Sequence, residues 1–160
     1  MKTGYTVMDL MTTNPIKAQE DFPVNKIAKL MKEKGVGSVL IMKDDKLAGI
    51  LTEKDIVLKV TAENLKAAET PAKDIMTPAK ELIAIEAEKD VYDAINVMKE
   101  NEIRRLPVMS DGKLKGLITL KDILKIEPTL FDLIVEKIRI KEEDRKLNVS
   151  QEEESFEDEE

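Results

Sequence analysis

The chain carries one eight-residue segment twice, and this repeat constrains its fold more than any other feature of the sequence. The segment GILTEKDI at 49–56 returns as GLITLKDI at 116–123, so the two copies lie 67 residues apart (116 − 49). Upstream, DLMT at 9–12 matches DIMT at 74–77 with a spacing of 65 (74 − 9), which indicates that about two residues are inserted in the second copy, near 77–82. A repeat of this kind predicts two equivalent units that pack together around a shared core.

Each copy is predicted to contain a helix, a β-hairpin and a second helix. The first helix of copy one has apolar residues at amphipathic-helix spacing: Val24, Ile27, Ala28 and Met31. Gly35 or Gly37 ends it. Apolar segments at 39–42 and 47–51 predict the hairpin, and Thr52 caps the next helix.

Copy two follows the same plan. Its helix carries the equivalent apolar stripe: Val91, Ala94, Ile95 and Met98. Segments 106–109 and 114–118 predict the hairpin, and Thr119 caps the helix that follows. Because proline cannot donate to a β-ladder, Pro107 predicts an edge strand or a strand start.

Composition excludes several classes of protein. The 160 residues include no cysteine and no histidine, which removes disulfides, thiolate chemistry and the commonest catalytic base and metal ligand. No serine elbow or metal-ligand spacing is present, so we expect no enzyme and no metal site. No apolar run approaches a membrane span of roughly 18 residues, so the default is a soluble cytoplasmic protein without a membrane partner. The charged fraction of 37%, rich in Lys and Glu, leans towards a thermophile.

The net charge of −7 comes from one end of the chain. Residues 151–160 hold seven carboxylates, which leaves 26 acids (33 − 7) against 26 bases in the remaining chain. A neutral body gives no electrostatic footprint for nucleic acid, so that partner is disfavoured. A tail of this composition is predicted to be disordered.

We expect repeat one at 7–61, a linker at 62–73, repeat two at 74–126, a last helix at 127–147 and the acidic tail at 148–160. The last helix carries a wide apolar face without an obvious partner inside either repeat: Leu130, Phe131, Ile134, Val135 and Ile138. Such a face on a small protein is typical of an interface and predicts a twofold homodimer. The alternative is that the helix folds back on its own module.

The repeated Thr-x-x-Asp motif has two interpretations. Taken alone, it is a helix-capping pattern, in which the threonine hydroxyl accepts a backbone N–H and the aspartate favours the positive end of the helix dipole. Its occurrence twice, each time after an apolar strand, also suits a nucleotide. Thr52 and Thr119 could then donate to phosphate, while Asp55 and Asp122 accept from the two ribose hydroxyls.

Taken in order, Asp-φ-Met-Thr, an amphipathic helix, φ-Pro-Val and Gly-φ-φ-Thr-x-x-Asp resemble a CBS (cystathionine β-synthase) domain, present twice over residues 7–126. The resemblance implies an α/β (α+β) fold of two β-α-β-β-α repeats around a pseudo-twofold axis. It also implies regulatory modules that form disc-like dimers. Two clefts in such a pair bind adenosine compounds (AMP, ADP, ATP or S-adenosylmethionine) as regulatory ligands rather than cofactors.

The resemblance also implies site residues. Thr52 and Thr119 would meet phosphate, and Asp55 and Asp122 would meet ribose. Short entry strands that contact the base correspond to Ile16, Lys17 and Ala18 in copy one and to Ile83, Ala84 and Ile85 in copy two. The segments before the second strands correspond to Val36, Gly37 and Ser38, and to Ile103, Arg104 and Arg105, followed by Pro107.

The copies differ where Gly37-Ser38 faces Arg104-Arg105, so the two clefts are predicted to differ in charge. Either arginine could clamp a phosphate or simply be a solvated helix end, and the sequence leaves open which cleft receives them. The leading hypothesis is an adenosine-ligand sensor that acts on an unknown effector protein. The alternative is an interaction or structural module with degenerate clefts and no physiological nucleotide.

Overall fold

The structure is a computed structural model that describes residues 2–126. These residues form two β-sheets, each covered by helices. The first half contains α1 (Val7–Leu10), β1 (Lys17–Gln19), α2 (Val24–Lys34), β2 (Ser38–Lys43), β3 (Lys46–Thr52), α3 (Glu53–Ile56) and a π-helical turn (Val57–Thr61). The second half contains α4 (Ala72–Ile75), β4 (Thr77–Pro78), a 3-10 turn (Ala79–Glu81), β5 (Ile85–Glu86), α5 (Val91–Glu100), β6 (Arg105–Ser110), β7 (Lys113–Thr119) and α6 (Leu120–Ile126).

These elements confirm the predicted α+β fold with two β-α-β-β-α repeats. The 3-10 turn falls where the second copy has its inserted residues. The apolar face at Leu130, Phe131, Ile134 and Ile138 and the acidic tail lie outside the described residues. None of the helices within 2–126 is long and apolar enough to cross a bilayer.

Local signals set the element ends. Helix α2 ends at Gly35, whose φ of 64° is the left-handed conformation that glycine adopts without strain. The helix that Thr52 caps changes from α to π geometry after Ile56. Both hairpins turn through an aspartate at positive φ, Asp44 and Asp111, a residue that tolerates this region better than most.

The two sheets have equivalent topologies. In the first sheet β1 lies parallel to β2, β2 pairs antiparallel with β3, and β4 adds a fourth strand beside β3. In the second sheet β5 lies parallel to β6, which pairs antiparallel with β7. In each sheet the strand before the Thr-x-x-Asp motif, β3 or β7, therefore pairs with the first strand of its hairpin, β2 or β6.

Pro107 lies inside the middle strand of the second sheet, so the prediction of an edge strand or strand start is wrong. The equivalent residue in copy one is Leu40 (107 − 40 = 67), whose N–H donates to the carbonyl oxygen of Ile16 at 2.9 Å. The nitrogen of Pro107 therefore faces β5 and not β7, and the β6–β7 hairpin keeps its hydrogen bonds. The missing donor shortens the parallel pairing instead, since β5 has two residues where β1 has three.

The first segment of each repeat packs on the core of the other repeat. Val7 and Leu10 of α1 are buried with the core of the second repeat, which includes Leu106 and Ile118. Ala72 and Ile75 of α4 are buried in the core of the first repeat, which includes Ile27 and Leu51. The units that pack together are therefore not continuous in sequence: the DLMT and DIMT segments have exchanged places.

Reciprocal contacts show that the exchange follows a pseudo-twofold axis. Thr12 bridges to Leu117 of β7, and Thr77 pairs with Ile50 of β3, which is the equivalent residue of the first repeat (117 − 50 = 67). A third apolar cluster joins the two sheets and consists of Leu40, Ile50 and Leu117, with Leu47, Leu82 and Leu114 packed against it. The two repeats therefore share one interface that is built from both.

Asp90 anchors the start of the chain to helix α5. Its carboxylate caps the helix by accepting the N–H of Tyr92 at 2.8 Å, and it also accepts the N–H of Thr3 at 3.0 Å and the Thr3 hydroxyl at 2.9 Å. Burial raises the pKa of Asp90, but the hydrogen bonds from Tyr92, Thr3 and Gly4 outweigh it and lower the pKa below its ordinary value.

We expect Asp90→Asn to remove an acid-dependent part of the stability. Since the folded pKa is lowered, this contribution is complete above the unfolded pKa of about 3.9 and disappears as the pH falls through the folded value. Chemical denaturation between pH 7 and pH 3 should show a shallower decline for Asp90→Asn than for the wild type. Asp93→Asn, an exposed change on the same helix, should leave the slope unchanged. Equal slopes for all three proteins would contradict the prediction.

Candidate functional site

The two Thr-x-x-Asp motifs form the first turns of α3 and α6. Thr52 caps α3: its N–H and hydroxyl donate to Asp55 Oδ2 at 2.9 and 2.8 Å, and the Asp55 N–H donates to the Thr52 hydroxyl at 3.2 Å. Thr119 and Asp122 make the same three contacts, at 2.9, 2.6 and 3.3 Å. The capping interpretation is therefore satisfied in both copies.

The outer oxygens of the two aspartates differ in their partners. Lys59 contacts Asp55 Oδ1 at 2.8 Å and also donates to the carbonyl oxygen of Ile75 at 2.9 Å, which ties this carboxylate to the exchanged helix α4. Lys125 lies 4.0 Å from Asp122 Oδ1. Both carboxylates are mostly shielded, with side-chain exposures of 13% and 17%. Because its lysine is farther away, Oδ1 of Asp122 is less engaged than Oδ1 of Asp55.

A third Thr-x-x-Asp sequence forms the same capping box outside the repeated segment. Thr6 caps α1, and its N–H and hydroxyl both donate to Asp9 Oδ2 at 2.7 Å. The hydrogen bonds from Thr6 lower the pKa of the exposed Asp9 carboxyl below its usual value. Because this box lies outside the repeated GφφTxxD segment, capping geometry by itself does not identify a binding site.

Arg105 crosses from the second repeat to the first. Its Nη1 donates to the carbonyl oxygen of Gly37 at 3.2 Å, and the same carbonyl accepts the N–H of Glu53 at 3.1 Å. Burial lowers the pKa of Arg105, and Arg104 lowers it further, while the nearby Glu53 and Asp55 act in the opposite direction. The half-buried guanidinium therefore lies at the start of α3.

We call Gly37, Thr52, Asp55 and Arg105 the first site. The equivalent positions, Arg104, Thr119, Asp122 and Ser38, form the second site. Gly37 and Arg104 play the same backbone role, because the N–H of Leu120 donates to the Arg104 carbonyl at 2.9 Å as Glu53 does to Gly37. Ser38 is buried in β2, where it pairs with Thr52, and the Arg104 side chain is exposed.

The entry segments supply fewer accessible side chains than the resemblance implies. Ala18 and Ile85 are only 6% and 7% exposed and belong to the cores of the first and second repeats. Ile83 and Ala84 are exposed, which accords with the shortened pairing beside Pro107. Val36 and Ile103 are half-buried and pack against the two cores. Lys17 faces a shallow depression of about 340 Å³ with Phe22 and Met42, towards the hairpin end of the first sheet.

Glu53 and Lys59 lie beside the first site, and the sequence did not predict that they would. The carboxylate of Glu53 lies over Gly37: a Cβ added to Gly37 would be 2.9 Å from Glu53 Oε2. The available signal was the change from Glu53 to Leu120 inside an otherwise matched segment, together with the four-residue spacing from Asp55 to Lys59. Among residues 2–126, no group of three acidic, histidine or cysteine side chains is arranged to hold a metal ion.

The model of the family described as the CBS domain matches the chain twice, at residues 7–61 and 72–128. Protein MK0525 of Methanopyrus kandleri is 38% identical over 82% of this chain and 64% of its own length. The CBS domain-containing protein YhcV of Bacillus subtilis is 31% identical over 74% of this chain and 82% of its own length.

A solved structure relates the fold to a bound ligand in another protein. The CBS domain pair of protein MJ0100, determined in complex with 5'-methylthioadenosine and S-adenosyl-L-methionine, superimposes with a TM-score of 0.67. It is 26% identical and covers 76% of this chain and 94% of that one. With two family matches and the fold and exchanged packing described above, the chain belongs to the CBS-domain family and carries the domain in tandem.

Proposed function

We propose that this protein is a regulatory module that binds adenosine-containing ligands at its two sites. The observation that carries the proposal is the duplicated GφφTxxD turn, which holds a shielded carboxylate in each copy. In the first copy Arg105 of the other repeat lies beside this turn. The complex of the MJ0100 domain pair with 5'-methylthioadenosine and S-adenosyl-L-methionine supports the same ligand class. CBS-domain proteins are generally regulatory and not catalytic, which favours a sensor over an enzyme.

The arrangement suits ligand sensing for a physical reason. The cap contacts of Asp55 and of Asp122 use Oδ2, which leaves Oδ1 to accept from a ribose diol. The first site draws Arg105 from one repeat and Thr52 and Asp55 from the other, so a ligand there would stabilise the arrangement of the two repeats. A ligand that binds one arrangement better shifts the population towards it.

The alternative is an interaction module without a physiological nucleotide, and one observation favours it. Both threonine hydroxyls already donate within their caps, and Asp55 Oδ1 is paired with Lys59, so the first site has few unsatisfied groups. The homodimer through Leu130, Phe131, Ile134 and Ile138, the effector protein and the cytoplasmic location stay predictions.

Aspartate variants test the ribose contact. We expect Asp55→Ala and Asp122→Ala each to weaken adenosine-ligand binding at one site by about 1.5–3 kcal/mol, the loss of a charge-assisted hydrogen bond. Isothermal titration calorimetry with AMP, adenosine and S-adenosylmethionine measures the affinity and stoichiometry. A saturating ligand at 100 times its dissociation constant should also add about 2.7 kcal/mol to the stability of the wild type.

Asp9→Ala is the matched control, because it removes the same capping box at a place outside both sites. All three variants should lose about 1 kcal/mol of stability through the lost cap. Only the changes at Asp55 and Asp122 should alter ligand affinity. Wild-type affinity and stoichiometry in both site variants would overturn the ribose contact. No binding of any adenosine compound to the wild type would instead support the interaction module.

A further inference from the structure

The aspartates of the two sites differ in how much hydrogen-bonding capacity they have left. A carboxylate accepts about four hydrogen bonds, shared between its two oxygens. The N–H and the hydroxyl of Thr52 both donate to Oδ2 of Asp55, and the ammonium of Lys59 lies 2.8 Å from Oδ1. The contacts within residues 2–126 therefore leave Asp55 about one acceptor position, whereas a ribose diol brings two hydroxyl donors.

Lys59 is held on Asp55 by a second contact. Its ammonium also donates to the carbonyl oxygen of Ile75 at 2.9 Å, at the last residue of α4. The last carbonyls of a helix have no partner inside that helix, so this lysine satisfies an acceptor of the exchanged segment. Because the Ile75 side chain is buried in the core of the first repeat, the position of its carbonyl is fixed. Lys59 is therefore a placed counterion, although its side chain is 45% exposed.

The second site has no such counterion. The residue equivalent to Lys59 is Ile126 (126 − 59 = 67), which carries no charge. Lys125 lies 4.0 Å from Oδ1 of Asp122, which is beyond hydrogen-bond distance. The N–H and the hydroxyl of Thr119 occupy Oδ2 as in the first site, so both acceptor positions on Oδ1 of Asp122 are available to a diol.

We propose that Lys59 competes with the ribose for Asp55 and makes the first site the weaker of the two. A diol can use both free acceptor positions on Asp122, but at Asp55 it makes at most one hydrogen bond unless the ammonium leaves. Displacing the ammonium also removes the donor to the Ile75 carbonyl, which opposes binding further. This inference rests on the proposed function and adds the order in which its two sites fill. Such a module responds to its ligand over a wider concentration range than two equal sites would.

Calorimetry with adenosine tests this order on the full chain, because adenosine is neutral and its binding is little affected by a change in net charge. The wild type should show a tighter and a weaker site. Asp122→Ala should weaken the tighter site, and Asp55→Ala the weaker one. Lys59→Met, which keeps a long side chain without the ammonium, should strengthen the weaker site by about 3- to 10-fold and leave the tighter site within about twofold. Lys59→Arg, which keeps the charge, should leave the first site weak.

Lys125→Met is the matched control, because it removes the same charge from the lysine that faces Asp122 without a hydrogen bond. It should leave both sites within about twofold. First-site binding that is detectable only in Lys59→Met supports the same competition.

Three results would overturn the inference. Lys59→Met could leave the weaker site unchanged or weaken it, Lys125→Met could strengthen the tighter site by as much, or the wild type could bind adenosine at two sites of equal affinity. Absence of adenosine binding in both the wild type and Lys59→Met is a different failure, because it removes the proposed function itself and this inference with it.

Discussion

Replacing Gly49 and Gly116 by alanine is expected to destabilise the protein more than any other glycine substitution. A Cβ on Gly116 would lie 2.5 Å from the carbonyl oxygen of Thr12 and 2.8 Å from Sδ of Met11, and a Cβ on Gly49 would overlap Thr77 and Met76 in the same way. Overpacking of this kind costs about 1–3 kcal/mol, and here rigid backbone has to move. We expect about 2–3 kcal/mol for each variant and roughly twice that for the double variant.

This substitution tests the exchange of the two segments, because the obstacle at each glycine comes from the first segment of the other repeat. Gly112→Ala is the control: it meets open space, but its φ of 71° makes alanine cost about 1 kcal/mol. Equilibrium denaturation in urea measures all four variants. Stabilities for Gly49→Ala and Gly116→Ala equal to or above the wild type would show that neither strand is crossed by the other repeat's segment.

Core truncation in either repeat is expected to lower one common unfolding transition. Leu51 and Ile118 are equivalent residues of the two repeats, and both are fully buried. Leu51→Ala and Ile118→Ala should each cost about 2–5 kcal/mol, which combines lost burial with the cavity that remains. Because each core contains the first helix of the other repeat, the truncation should destabilise the whole module and not one half.

Differential scanning calorimetry and hydrogen exchange measure this coupling. Both variants should show a single transition and reduced protection in both sheets. Leu58→Ala, which truncates a leucine that is 52% exposed, is the matched control and should change the stability by about 0.5 kcal/mol or less. Two separate transitions, with protection lost only in the mutated repeat, would mean that the repeats unfold independently.

Local chemistry was readable without the structure. The 67-residue repeat predicted two equivalent units, because identical spacings of apolar, glycine and capping residues impose the same strand–turn–helix geometry. The caps at Thr52 and Thr119 followed from short-range hydrogen bonding, and backbone freedom limited the end of α2 to Gly35 or Gly37, of which the structure uses Gly35. These signals extend over a few residues, so the sequence contains all that determines them.

Long-range packing decided the remainder. The DLMT and DIMT segments carry no signal for the repeat on which each packs, since the two cores offer nearly the same apolar surface to both segments. The role of Pro107 depended on which neighbour its nitrogen faces, and the site that receives Arg105 depended on a contact with Gly37 across 68 residues. Sequence alone determined the repeated units and their caps. Only the tertiary structure decided how the units exchange segments and why their two sites differ in charge, because both depend on contacts between parts of the chain that are distant in sequence.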